Sequence, residues 1–150
     1  MRIPSWLLLP LLAAPLAAQQ TYLTEDFESG AVPPTGWTEN NNGNSAGWEP
    51  ATGQLFGSTE AFHDDFTGYN DNDLVSPQMD LTSATAVFAH CYQDGYFASW
   101  RDHHYVDVSI DNGLTFVNII DDLQGDGQST ITADLAAYAG INGVNVAYHY

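Results

Sequence analysis

Apolar and polar positions alternate most regularly in the second half of the chain. In Tyr105-Val-Asp-Val-Ser-Ile-Asp111, Val106, Val108 and Ile110 share one side while Asp107, Ser109 and Asp111 share the other. That period of two is expected of a strand with one buried face. Asn112-Gly113 follows, a dipeptide that tolerates positive φ at both positions, and Leu114 to Ile120 runs back as the partner strand of a hairpin. Asp121 to Gln128 reads as an acidic loop, and Ser129 to Asp134 as extended backbone. Leu135 to Gly140 gives at most one helical turn before Val144, Val146 and Tyr148 alternate in a final strand.

The first half is less regular. Asp73-Leu-Val-Ser-Pro-Gln-Met-Asp-Leu81 is an apolar run interrupted by Pro77, which has no N–H to donate and so predicts an edge strand. Ala84 to Tyr92 is the next strand. Upstream, a strand through Phe27 turns at Pro33-Pro34 and Gly36 into a second at Trp37, and Asn40 to Gly47 is a polar loop. Trp48 restarts extended chain, with Trp37 and Trp48 assigned to the core. Gly53 to Asp73 is an irregular stretch in which Phe56, Phe62, His63, Phe66 and Tyr69 alternate with acids. Short strands at regular spacing and no credible helix beyond the N-terminus predict an all-β, antiparallel β-sandwich.

The N-terminus changes where this domain is expected to work. Arg2 precedes an apolar run from Trp6 to Leu16 that ends in small residues, the pattern of a secretory signal peptide cleaved after Ala18. The run is too short for a membrane span of ~20 residues. Residues 1–18 are thus read as leader, and 19–150 as one β-sandwich domain of a secreted or surface-displayed bacterial protein. The formal net charge is −17, with no lysine and Arg101 as the single arginine beyond the leader. Such a field repels phosphate backbones and anionic lipid, which excludes nucleic acid and membrane insertion. Cys91 is the single cysteine, so no intrachain disulfide forms, and it reads as a small buried hydrophobe.

Acidic loops such as Asp64-Asp65 and Asp71-Asn72-Asp73 offer the closely spaced oxygens that calcium takes, six to eight at a time. An EF-hand does not fit, since the sixth and twelfth positions from Asp71 are Ser76 and Thr82. Zinc is disfavoured because His63, His90, His103, His104 and His149 form no ligand motif; His90 reads as a core or interface histidine. For ligand binding the stretch Gly95 to His104 stands out. Tyr96, Trp100 and Arg101 there offer rings to stack on a sugar and a guanidinium to grip a carboxylate. No nucleophile elbow occurs, and the many carboxylates leave a glycoside hydrolase or another hydrolase on a sandwich open as an alternative.

Several segments together resemble the cleaved-adhesin or choice-of-anchor J domains, relatives of the MAM domain. They are Asp26-Phe-Glu-Ser-Gly30, Pro34-Thr-Gly-Trp37, Asp73-Leu-Val-Ser-Pro77, Met79-Asp-Leu81, Cys91-Tyr-Gln-Asp94, Val106 to Gly113, and Asp134 to Gly140 leading to Val146-Ala-Tyr-His-Tyr150. The resemblance implies a jelly-roll sandwich that acts as a non-catalytic adhesion module toward a glycan or protein, with calcium-ordered loops. It places calcium ligands at Glu28 and Asp73, to which Asp64 or Asp65 is added on spacing. The family pattern ends in a further strand that is not found before Tyr150, so the sandwich is expected to lack its last strand and to belong to a longer parent protein with further domains. A structural spacer in such a protein is the remaining alternative.

Overall fold

The computed structural model describes residues 19–43, 47–52, 58–63, 69–95, 105–120 and 127–150. The leader assigned to residues 1–18 lies outside them. Among the described residues ten strands follow in chain order: β1 Thr38–Asn41, β2 Glu49–Thr52, β3 Thr59–Phe62, β4 Asn72–Val75, β5 Met79–Asp80, β6 Phe88–Gly95, β7 Tyr105–Ser109, β8 Val117–Ile120, β9 Gly127–Asp134 and β10 Asn142–His149. A 3-10 turn at Ala136–Tyr138 is the helical element among the described residues. All pairings are antiparallel. The main sheet runs β1-β4-β10-β7-β8, with β5 also on β10, while β2 pairs β3 and β6 pairs β9. The architecture is therefore an all-β antiparallel sandwich.

The core lies between the main sheet and the β6–β9 pair. Val106, Val108, Val144 and Val146 point inward from β7 and β10 to meet Leu81, Val87, Ala133 and Leu135. Close-packed burial of this kind is worth roughly 1.5–3 kcal/mol per large aliphatic side chain. Backbone bonds tie the layers together, with Leu135 N–H donating to the Val87 carbonyl and Leu81 N–H to that of Ile141.

The segment Asp73–Leu81 is not an edge strand throughout. β4 lies between β1 and β10, with Thr38 opposite Val75 and Ala147 on the other side of the same residue. Pro77 falls in the break between β4 and β5, beyond the end of β1, so its absent N–H costs no ladder bond. β5 then continues along β10 with a register shift. The strand expected through Phe27 does not form, and β3 occupies part of the stretch read as irregular. Trp37 and Trp48 are only partly buried, and His90 is exposed rather than in the core.

The β7–β8 hairpin forms as expected, but with a longer connection than a two-residue turn. Asn112 and Gly113 both adopt positive φ, 65° and 76°. Ser109 and Asp111 organise the turn: the Ser109 hydroxyl donates to Asp111 Oδ1 at 2.8 Å, and Asp111 accepts the N–H and hydroxyl of Thr115. Because β7 ends at Ser109, Ile110 leaves the alternation and is exposed.

Candidate functional site

The outer face of the main sheet carries polar residues that are nevertheless buried. Strand register puts Asp73, His149 and Tyr105 in one row, and Val75, Ala147 and Asp107 in the next. Asp73, Asp107, Ser109 and Asn145 are buried on this face. Asp107 was expected on a solvated strand face, and the sheet instead encloses it because β7 is flanked by β8 and β10.

Asp73, Asp107 and His149 converge, each offering one ligand atom within 4.8 Å of the others. His149 Nδ1 donates to Asp73 Oδ1 at 2.7 Å, and its ring lies 5.5 Å from that of Tyr105. Asn118 Nδ2 donates to Asp107 Oδ1 at 3.2 Å. The hydrogen bond to Asp73 raises the His149 pKa, with the charges of Asp73, Asp107 and Asp71 adding to it against the opposing effect of burial. Burial, followed by the charge of Asp73, raises that of Asp107, while His149 and Asn118 pull it down. The arrangement can hold a protonated imidazole between two carboxylates, or bind a cation that accepts nitrogen and oxygen donors.

Calcium prefers an all-oxygen shell, so these three side chains alone do not make its site. Glu28, the other residue that the family resemblance makes a ligand, stands elsewhere. It is exposed, and its Oε1 accepts the N–H of Thr59 at 3.3 Å. The next residue, Glu60, is 6 % exposed, and both its carboxylate oxygens are buried without a hydrogen-bond partner among the described residues. A carboxylate so placed is costly unless a cation balances it, which is the oxygen chemistry calcium supplies. Asp64, Asp65, Tyr96, Trp100 and Arg101 lie outside the described residues.

A second polar group sits at the end of the inner face. His63 stacks on Tyr150 at 4.1 Å, meets the Trp48 edge at 5.3 Å and hydrogen-bonds Asn72. Asn72 exchanges backbone bonds with Tyr150 in both directions. On the outer face, Gly36, Thr38, Asn40, Gln78, Asn112 and Asn145 line a shallow cavity of about 160 Å³ together with Val75 to Pro77 and Gly113.

Asp107 and His149 were not picked out from the sequence. Each occupies the non-core phase of its own strand, and that phase was the available signal. Their meeting with Asp73 depends on β10 inserting between β4 and β7, a pairing that no local pattern encodes. No protein-family model and no curated protein sequence matches the chain. Among solved structures, the fold is similar to a cleaved adhesin domain of Lys-gingipain from Porphyromonas gingivalis. The TM-score is 0.59 at 23% sequence identity, over 87% of this chain and 89% of that one.

Proposed function

We propose that this chain is a secreted or cell-surface adhesion module that binds a glycan or protein without catalysis, with calcium ordering its loops. The observation that carries the reading is the fold likeness over most of both chains to a domain named as an adhesin. The strongly acidic composition supports it by turning away polyanionic partners. Localisation follows the leader-like N-terminus, and no helix among the described residues is long and apolar enough to cross a membrane.

Calcium is placed at Glu28 with Asp64 and Asp65, where the buried Glu60 carboxylate next to Thr59 is a further oxygen donor; Asp73, the other ligand that the resemblance implies, is instead held by His149. Bound only by the native state at ~100 times its dissociation constant, calcium would add ~2.7 kcal/mol. Thermal unfolding in chelator, then with calcium or magnesium, tests this. A calcium-specific rise that is lost in Glu28→Gln supports the loop site, and no rise in a folded sample removes it. Screening the chain against surface glycans and proteins tests the adhesion reading itself.

One observation favours a second reading. Asp73 and Asp107 form a close carboxylate pair, with the pKa of Asp107 raised, as an acid–base couple in a hydrolase would require. Hydrolysis of a glycan substrate that disappears in Asp107→Asn would replace the non-catalytic reading.

A further inference from the structure

We propose that the outer face of the β6–β9 sheet is a platform for an uncharged polysaccharide chain, with Phe88, His90 and Tyr92 as its ring-stacking row. This deepens the adhesion reading and rests on it. Along β6 the alternation is inverted in chemistry: the residues facing solvent are aromatic, while Ala89 packs inward against the core. Phe88 is 54% exposed, Tyr92 is 56% exposed, and His90 between them is exposed as well. Three successive outward positions holding rings are not explained by folding, because none of them fills the core.

The rings are held in place before any ligand arrives. Phe88 and His90 lie 6.5 Å apart with planes inclined by only 23°. His90 Nδ1 is hydrogen-bonded to Thr132 Oγ1 across the strands at 3.0 Å, and the Tyr92 hydroxyl donates to Gln128 Oε1 at 2.9 Å. The partner strand sets exposed Gln128, Thr130 and Thr132 beside the rings. A sugar ring presents an apolar C–H face and a rim of hydroxyls, which matches aromatic planes bordered by neutral hydroxyl and amide groups. Phe88 and Tyr92 are four residues apart, or ~13 Å along a strand. That exceeds one pyranose, so the occupant is a chain.

Charge selects an uncharged chain. The protein carries −17 overall, and strand register gives this face two acidic positions, Asp134 opposite Phe88, which accepts the Ala136 N–H at 2.8 Å, and Asp94 at the far end opposite Gln128. An anionic polymer meets a repulsive field, and a cationic protein finds its attraction on other surfaces richer in acid.

The test titrates the whole chain with hydroxyethyl cellulose, soluble mannan and dextran, with alginate as the polyanion, by affinity electrophoresis and calorimetry. Phe88→Ala, Tyr92→Ala and the double variant are compared with wild type, and circular dichroism confirms that each is folded. The expected result is binding of at least one neutral polymer and none of alginate. Each single variant should bind about tenfold more weakly, and the double variant should lose binding. Binding retained by the double variant overturns this platform while leaving adhesion through another face intact. No binding to any neutral polymer also overturns it, and the adhesion reading falls with it only if the wider glycan and protein screen is empty. Self-association in sedimentation that the double variant abolishes would make the face a contact between copies, which likewise overturns the proposal.

Discussion

The two outer faces of this sandwich reverse the usual distribution of side chains. On the main sheet the outward row holds Asp73, Asp107, Asn145 and His149, polar groups drawn into the protein, with the two aspartates and Asn145 buried to within a tenth of their surface. On the β6–β9 pair the outward row holds Phe88 and Tyr92, large rings left in water. A half-buried sheet ordinarily puts polar groups outward into solvent and apolar ones inward. Buried polar groups cost stability unless each finds a partner, and exposed rings gain nothing from the core. Stability on the first face therefore depends on specific pairing, and on the second it should be indifferent to the residues present.

The largest effect should come from breaking the pairing on the main sheet. Asp73→Ala strips His149 of its acceptor, and a hydrogen bond to a charged group is worth about 1.5–3 kcal/mol. Urea unfolding should show a loss in that range. Asp73→Ala combined with His149→Gln should cost less than the two singles together, because the second change removes the group that the first left unpartnered. Strict additivity would mean that the 2.7 Å contact carries no coupling and that the two residues are buried independently.

Proton linkage gives a second, smaller handle on the same face. The His149 pKa is raised in the folded protein, chiefly by its bond to Asp73. Its contribution is then fully present below the ordinary value of 6.5 and is lost as pH rises through the raised folded value. Asp107 works in the same direction at more acid pH. Its pKa is raised above 3.8, mainly by burial, so ionising it in the folded state costs stability as pH climbs past that ordinary value. Measured in chelator, wild type should lose stability relative to His149→Gln between mildly acid and mildly alkaline pH. A flat difference would show that the imidazole is not protonated against Asp73.

How much of this contrast the sequence discloses depends on the range of the interaction. β7 and its turn are legible because alternation and Asn112-Gly113 are local signals, and the turn does form with both residues at positive φ. The core of Val106, Val108, Val144 and Val146 is legible for the same reason. The partner of Asp73 is not, since His149 lies 76 residues away and the two meet only through the order of strands in the sheet. Pro77 misled because a proline at a strand break looks, in sequence, like one on an edge. The aromatic row on β6 was hidden differently: Phe88, His90 and Tyr92 are visible as alternating positions, but an apolar or aromatic residue in a strand is by default assigned inward. His90 reads in sequence as a core or interface histidine, and the exposure of all three rings, with Ala89 packed inward, shows which way the row faces.

On the exposed row, Phe88→Ala and Tyr92→Ala should each shift unfolding stability by no more than about 0.5 kcal/mol, as surface positions do. The contrast with Asp73→Ala is the point of the measurement. A loss of several times that size would place the rings in a packed interface, and the inversion between the two faces would then be only apparent.

The smallest effect concerns the turn that closes the polar face. Asp111 lies at the surface, only partly covered, and its pKa is lowered to about 2, first by the Thr115 hydroxyl and then by the Thr115 N–H and Ser109. A depressed folded value means that the contribution is present above 3.8 and is lost as pH falls through about 2. The change is local, because the carboxylate tethers only the β7–β8 connection and no core residue leans on it. The Thr115 amide resonance should therefore titrate with a midpoint near 2, while the amides of Val106 and Val108 in the core stay unaffected. A Thr115 midpoint near 3.8 would mean that its hydrogen bonds do not hold the charge in solution, leaving Ser109 and the positive φ at Asn112 and Gly113 to shape the turn.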